Sequence, residues 1–237
     1  MQDPVNWDLR FGYRSPKLAR MEISGKVLLW EDPVPRAGPE AMAVDEWLLE
    51  TAVEPVLRVY RWDGDWASIG YFGEMSRARA AFPGTRYVRR WTGGGMVDHR
   101  EDWTYTLVIP ASEPMARTRG GESYRRIHAA LAIALGGEAQ GISLSAADGE
   151  TGESLCFSNP VSHDLVDPGG RKIAGAGQRR TRIGLLHQGS VALPCQAERF
   201  AAALATDWRA VDLLPDAGWL TNKVSTRYAR DDWTNRR

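Results

Sequence analysis

RYVRRWTGGGMVDHREDWTYTLVIP, residues 86–110, decides how this chain is read. Before Thr92, Tyr87, Arg89 and Trp91 alternate with Val88 and Arg90; after Glu101, Trp103, Tyr105, Leu107 and Ile109 alternate with Thr104, Thr106 and Val108. A two-residue period of this kind predicts half-buried strands. Gly93, Gly94 and Gly95 fall in the connection, where they cost backbone entropy and supply positive φ and close main-chain approach. Taken alone the run has two readings, a flexible hairpin turn or a ligand loop whose N–H groups form an anion-binding nest.

Outward from this stretch, residues 26–32 (KVLLWED) read as a first strand and 40–53 as a helix. Ala41, Val44, Leu48 and Ala52 recur there at helical spacing, Pro39 stands in the first turn, and Glu40, Asp45 and Glu46 lie toward the positive N-terminal end. Residues 56–62 and 66–72 are β-type runs joined by Asp63-Gly64-Asp65, which predicts a hairpin. Tyr124, Ile127, His128, Leu131 and Leu135 share one face of a second helix that Gly136 and Gly137 terminate. His128 on that face reads as a packed histidine. A short strand near 142–145 precedes AADGETGES, the composition of a mobile loop, and then Cys156. Residues 163–193 are β again around the turn Asp167-Pro168-Gly169-Gly170, and 196–205 predict a last short helix before a tail. Residues 1–25 read as an arm, and 26–237 as a single α+β domain with mixed and antiparallel sheets and packed helices, without regular βαβ repetition.

With 237 residues and 43% hydrophobic content the chain can bury a real core. Thirty basic and thirty acidic residues balance, so nothing global draws it to nucleic acid or an anionic membrane. No apolar run approaches about 18 residues and no secretory signal is legible, so a cytoplasmic protein is expected. Cys156 and Cys195 show no zinc spacing, which leaves no metal site to assign. Ten tryptophans are read as packing.

Three motifs in order then resemble the catalytic domain shared by biotin-protein ligases, lipoate-protein ligases and octanoyltransferases, a class II ligase-like fold. The lipoyl branch has an arginine pair, Ser or Thr, a glycine run and a downstream histidine, matched by Arg89, Arg90, Thr92, Gly93, Gly94, Gly95 and His99. A Lys-Ile-X-Gly strand is matched by Lys172, Ile173, Gly175 and Gln178, and a His-X-Gly-Ser strand by His187, Gly189 and Ser190. The resemblance implies that Arg90, Thr92, the three glycines, His99, Gly175, His187, Gly189 and Ser190 bind substrate, and that Lys172 is catalytic. Around Cys156 the order Cys-Phe, Pro, Ser, Asp-Leu-Val and Arg-Lys resembles cysteine-dependent octanoyltransferases, which implies that Cys156 carries an acyl thioester. Nearby positive charge on Lys172, Arg171 or His163 would activate such a thiol.

The reaction this resemblance implies is transfer of an octanoyl or lipoyl group to one lysine of a lipoyl carrier domain, with no cofactor. The donor would be octanoyl-acyl carrier protein, and the acceptor a lipoyl domain or a protein like the glycine-cleavage H protein. The alternative is an ATP- and Mg-dependent lipoate-protein ligase acting on lipoate through lipoyl-AMP, to which the uninterrupted glycine run is closer. A third reading is a non-catalytic protein that binds acylated carriers. Two further expectations concern single residues. Arg100 stands where the family usually has an acid after the histidine, and Arg179, Arg180 and Arg182 are expected to meet an acidic carrier surface.

Overall fold

The computed structural model describes residues 23–146 and 160–236. In chain order its strands are β1 (Ser24–Glu31), β2 (Val56–Tyr60), β3 (Trp66–Ile69), β4 (Arg86–Arg89), β5 (Met96–Asp98), β6 (Trp103–Pro110), β7 (Ser143–Leu144), β8 (Leu165–Val166), β9 (Lys172–Arg180), β10 (Gly184–Val191) and β11 (Ala205–Ala210). The helices are α1 (Gly38–Thr51), α2 (Met75–Ala81), α3 (Gly120–Ala134), α4 (Ala197–Leu204), α5 (Ala217–Lys223) and α6 (Asp231–Thr234). Eight strands form one sheet in the order β11-β1-β2-β6-β10-β9-β8-β7, and β4-β3-β5 form a second. β1 runs parallel to both its neighbours, and every other pair in the large sheet is antiparallel.

Strand alternation divides the core into two layers. Leu57, Tyr105, Leu107, Ile109, Leu185 and Val191 face α3 and α4, while Val56, Tyr60, Val108 and Leu186 face α1 and the C-terminal helices. β6 is therefore buried on both sides, where the sequence predicted one, because it lies at the centre of a sheet covered on both faces. α1 is likewise buried beyond its apolar stripe. Asp45 and Glu46 are not solvated end-charges but buried anchors: Asp45 accepts from Arg58 at 2.7 Å, and Glu46 accepts from Lys223 at 2.8 Å, Arg227 at 2.7 Å and the Tyr228 hydroxyl at 2.7 Å.

The expected hairpin does not form, nor does the hairpin reading of the glycine run hold. Residues 56–62 and 66–72 enter different sheets, because the chain at 61–63 bonds instead to Arg36, with Arg36 N to Arg61 O at 3.1 Å and Asp63 N to Arg36 O at 2.8 Å. Gly64, at φ +85°, then redirects the chain into β3. The triple glycine does not join β4 to β6 either. It links β4 to the short strand β5, and these flank β3, so the loop must cross the end of β3. The tail expected after α4 folds as β11, α5, a π-type turn over Val224–Tyr228, and α6.

Candidate active site

The floor of the site is one row across four strands. Gly175 pairs with Ser190, Ser190 with Thr104, and Thr104 with Tyr60, a span of roughly 14 Å at about 4.8 Å per strand. Over it the small sheet supplies Arg90, Val97 and His99. Together with Trp62, Ala176, Gly177, Gln188 and Gly189 these residues enclose a narrow pocket of ≈ 330 Å³, counting its open mouth.

Close backbone approach holds the glycine loop in place. Gly70 N donates to Gly95 O at 3.2 Å and Tyr71 N to Thr92 O at 2.8 Å, and a Cβ on Gly70 would strike the Gly94 carbonyl. Gly177 meets the loop from β9, where a Cβ would collide with the Gly93 carbonyl and the Thr92 hydroxyl. Of the three glycines only Gly94, at φ +95°, takes a conformation reserved for glycine. Arg90 gathers the loop's carbonyls, donating to Gly93 O at 3.2 Å and Gly95 O at 3.0 Å. Among the described residues no hydrogen bond reaches the amides of Gly93, Gly94 and Gly95. Thr92 is fully buried and donates to Gln188 Oε1 at 2.7 Å, while Gln188 Nε2 reaches Asp45 at 2.6 Å.

His99 lies flat against Trp62, with ring centroids 4.1 Å apart. Its Nε2 meets Ser68 Oγ at 2.6 Å and its Nδ1 meets Asp102 at 2.8 Å. Asp102 thus supplies, three residues on, the acid that Arg100 does not; Arg100 turns outward to Asp98. Ser190 lines the pocket and donates to Asp102 at 2.5 Å, and Ser68 accepts from Arg90 at 2.5 Å.

Lys172 is 5% exposed, and its Nζ stands 2.7 Å from Asp164. A Cβ on Gly175 would land on the lysine's Cε and Nζ. Because cross-strand partners point to the same face, Gly175 opens toward the Ser190 side, which places the ammonium on the pocket side of the sheet.

His187 goes elsewhere. One residue out of phase with Gln188 and Ser190, it points to the opposite layer, fully buried between Tyr105 OH at 3.0 Å and Gln178 Nε2 at 2.9 Å. Burial holds its pKa well below the usual histidine range. Gly189 contributes backbone to the pocket while its bare α-carbon admits the Tyr105 ring on the other face. Cys156 lies outside the described residues. Arg171, one of its expected activators, is exposed and paired with Asp167. Burial pushes the Cys195 thiol up to about 12. Trp62, Gln188, Asp102, Ser68 and Asp164 were not singled out from sequence, although the two-residue period already put Gln188 in phase with Ser190 and His187 out of phase.

Residues 38–212 match the model of the lipoyl protein ligase A/B catalytic domain. Octanoyltransferase LipM of Brevibacillus brevis is 31% identical over 207 residues, 78% of this chain and 75% of the relative. Octanoyltransferase LipM of Symbiobacterium thermophilum is 34% identical, over 73% of this chain and 66% of the relative. The chain thus spans about two thirds to three quarters of these relatives. The bipartite lipoate protein ligase of Thermoplasma acidophilum, studied with its E2 lipoyl domain, superposes with a TM-score of 0.63 at 18% identity, over 89% of this chain and 96% of that one. At that identity the likeness is one of fold.

Proposed function

Because this chain belongs to the lipoyl protein ligase A/B catalytic-domain family, we propose that it transfers an octanoyl or lipoyl group to a lysine of a lipoyl carrier domain through a thioester on Cys156. The observation that carries this reading is the seat of Lys172, a buried ammonium at the Gly175 end of a narrow, glycine-floored pocket.

The reaction is two transfers. The Cys156 thiolate attacks the carbonyl carbon of an acyl thioester on a carrier protein; the C–S bond to the carrier breaks and the carrier leaves as its thiolate. The neutral ε-amine of the acceptor lysine then attacks the enzyme thioester, gives up a proton and forms the amide, which returns the Cys156 thiolate. In both steps the carbonyl oxygen becomes an oxyanion, which Lys172 and the amides of Gly93, Gly94 and Gly95 are suited to stabilise. Octanoyl-acyl carrier protein is the proposed donor, and a lipoyl domain or H-like protein the proposed acceptor.

A second reading, ATP-dependent ligation of lipoate, draws on the same glycine-loop amides, which suit a phosphate. Its magnesium would be held by one or two carboxylates together with the phosphates of the nucleotide.

Intact mass after mixing with octanoyl-acyl carrier protein and no ATP separates the readings. The expected result is one octanoyl adduct on the wild type and none on Cys156→Ser. An equal adduct on both, or none on either, sinks the thioester route. Lipoate-dependent pyrophosphate exchange would identify a ligase, and carrier binding without either activity a binding protein.

A further inference from the structure

The only described non-glycine residue with positive φ is His163, at φ +72°. Side chains in that region are strained, and such strain persists only where the surroundings over-determine it. Here they do. His163 N donates to Ser145 O at 2.9 Å, Ser145 N to Asp164 O at 2.7 Å, and Asp164 N to Val161 O at 3.0 Å, while His163 O meets His128 Nδ1 at 2.7 Å. The strained turn sets one side chain, Asp164, which is completely buried.

Each oxygen of Asp164 has a defined partner. Oδ1 accepts from the Tyr124 hydroxyl at 2.5 Å; Oδ2 accepts from Val161 N at 2.8 Å and faces Lys172 Nζ at 2.7 Å. Tyr124 is fixed in turn. Its oxygen accepts from Ala176 N at 2.8 Å, and its ring packs 4.1 Å from that of His128. Ala176 and Gly175 both line the pocket, and α3, the 161–164 turn and Lys172 of β9 meet at one group, the Asp164 carboxylate. A lysine side chain has several rotatable bonds and holds no direction unaided. A buried carboxylate already held by the Tyr124 hydroxyl and the Val161 amide gives it one.

We infer that Tyr124 and Asp164 are positioning residues for Lys172, forming a clamp that sets its ammonium against Gly175 on the pocket side of the sheet. The inference rests on the acyl-transfer reading for its kinetic consequence and on geometry alone for its structural one. Neither residue touches the acyl group. Their effect is on where the positive charge stands when the oxyanion forms, and a misplaced catalytic group costs rate even when binding is intact.

The test has two arms on the full-length protein. In the first, single-turnover octanoylation from octanoyl-acyl carrier protein is followed by intact mass for the wild type, Tyr124→Phe, Asp164→Asn and Gly175→Ala. Loss of an oxyanion-stabilising group costs about 100-fold or more. We therefore expect about a 100-fold lower rate for Asp164→Asn and about a tenfold lower rate for Tyr124→Phe, with the donor KM unchanged. Gly175→Ala, whose methyl displaces the end of a flexible lysine, should resemble Asp164→Asn. Equal rates, or losses confined to KM, overturn the inference.

The second arm needs no activity. Reductive methylation by formaldehyde, read by peptide mass, should be slow at Lys172 relative to exposed Lys26 and rise severalfold in all three variants. Unchanged labelling of Lys172 in Tyr124→Phe and Asp164→Asn overturns the clamp. If the wild type gains no octanoyl group, the transferase proposal fails and the labelling alone decides this one.

Discussion

At the scale of residues, what matters most is which side of a strand a group faces. His187 and Gln188 are neighbours in a motif, yet one is sealed against α3 and the other ties the glycine loop to Asp45. The buried histidines carry a cost in acid. Burial lowers the pKa of His128 to about 4, so it stays neutral in the fold while the unfolded chain takes up a proton near pH 6.5. Its contribution is present above pH 6.5 and lost as the pH falls toward 4, about 3 kcal/mol in all. Urea unfolding across that window should show the decline, and His128→Leu should show a shallower one. A second expectation concerns Gly177. A methyl there meets the Gly93 carbonyl and the Thr92 hydroxyl, so Gly177→Ala should push the glycine loop off β9. Octanoylation should fall at least about tenfold with less than about 2 kcal/mol lost in stability, as rate and thermal unfolding measured together would show.

Among elements, the C-terminal segment has a role its sequence did not announce. Arg89, fully buried on β4, donates to the carbonyls of Gly70, Tyr71 and Gly73 on one side and of Trp233, Thr234 and Arg236 on the other. No carboxylate pairs with it among the described residues, and burial together with the nearby Arg236 lowers its pKa. α6 is thereby fastened to the strand that leads into the glycine loop, and the Trp233 indole returns a bond to Arg89 O at 3.1 Å. Arg89→Leu would leave up to six carbonyls short of a donor. A stability loss of about 3 kcal/mol is expected, with faster hydrogen exchange over 224–236. Full protection of that segment in the variant would refute the anchor.

Over the whole molecule, the three arginines expected to greet a carrier are dispersed, two on opposite faces of β9 and one in the turn after it. Arg179 is stacked between Tyr71 and Trp91, at 5.1 and 4.3 Å from their ring centres, whereas Arg180 turns to Ser123 on α3 and Arg182 is exposed in the β9–β10 turn. Arg180 and Arg182 are both exposed, and exposed charges act through long-range attraction. Arg182→Glu is expected to raise the carrier KM about two- to fivefold at low salt, with the difference vanishing above roughly 0.5 M salt as screening shortens. Arg179→Glu should lower the octanoylation rate at every salt concentration, since it unstacks the loop. Local pattern determined much of this protein. The strand and helix periods, the helix stop at Gly136, the glycine loop and the Lys172 strand were all legible, because a period of 2 or 3.6 and the φ freedom of glycine belong to the chain itself. Tertiary structure alone decided that Asp63-Gly64-Asp65 parts two sheets, that Asp102 serves His99, that Arg89 holds α6, and that Asp164 holds Lys172. Those pairings join residues whose partners are chosen by which layers pack together, and burial, which gives each ion pair its strength, exists only once they have.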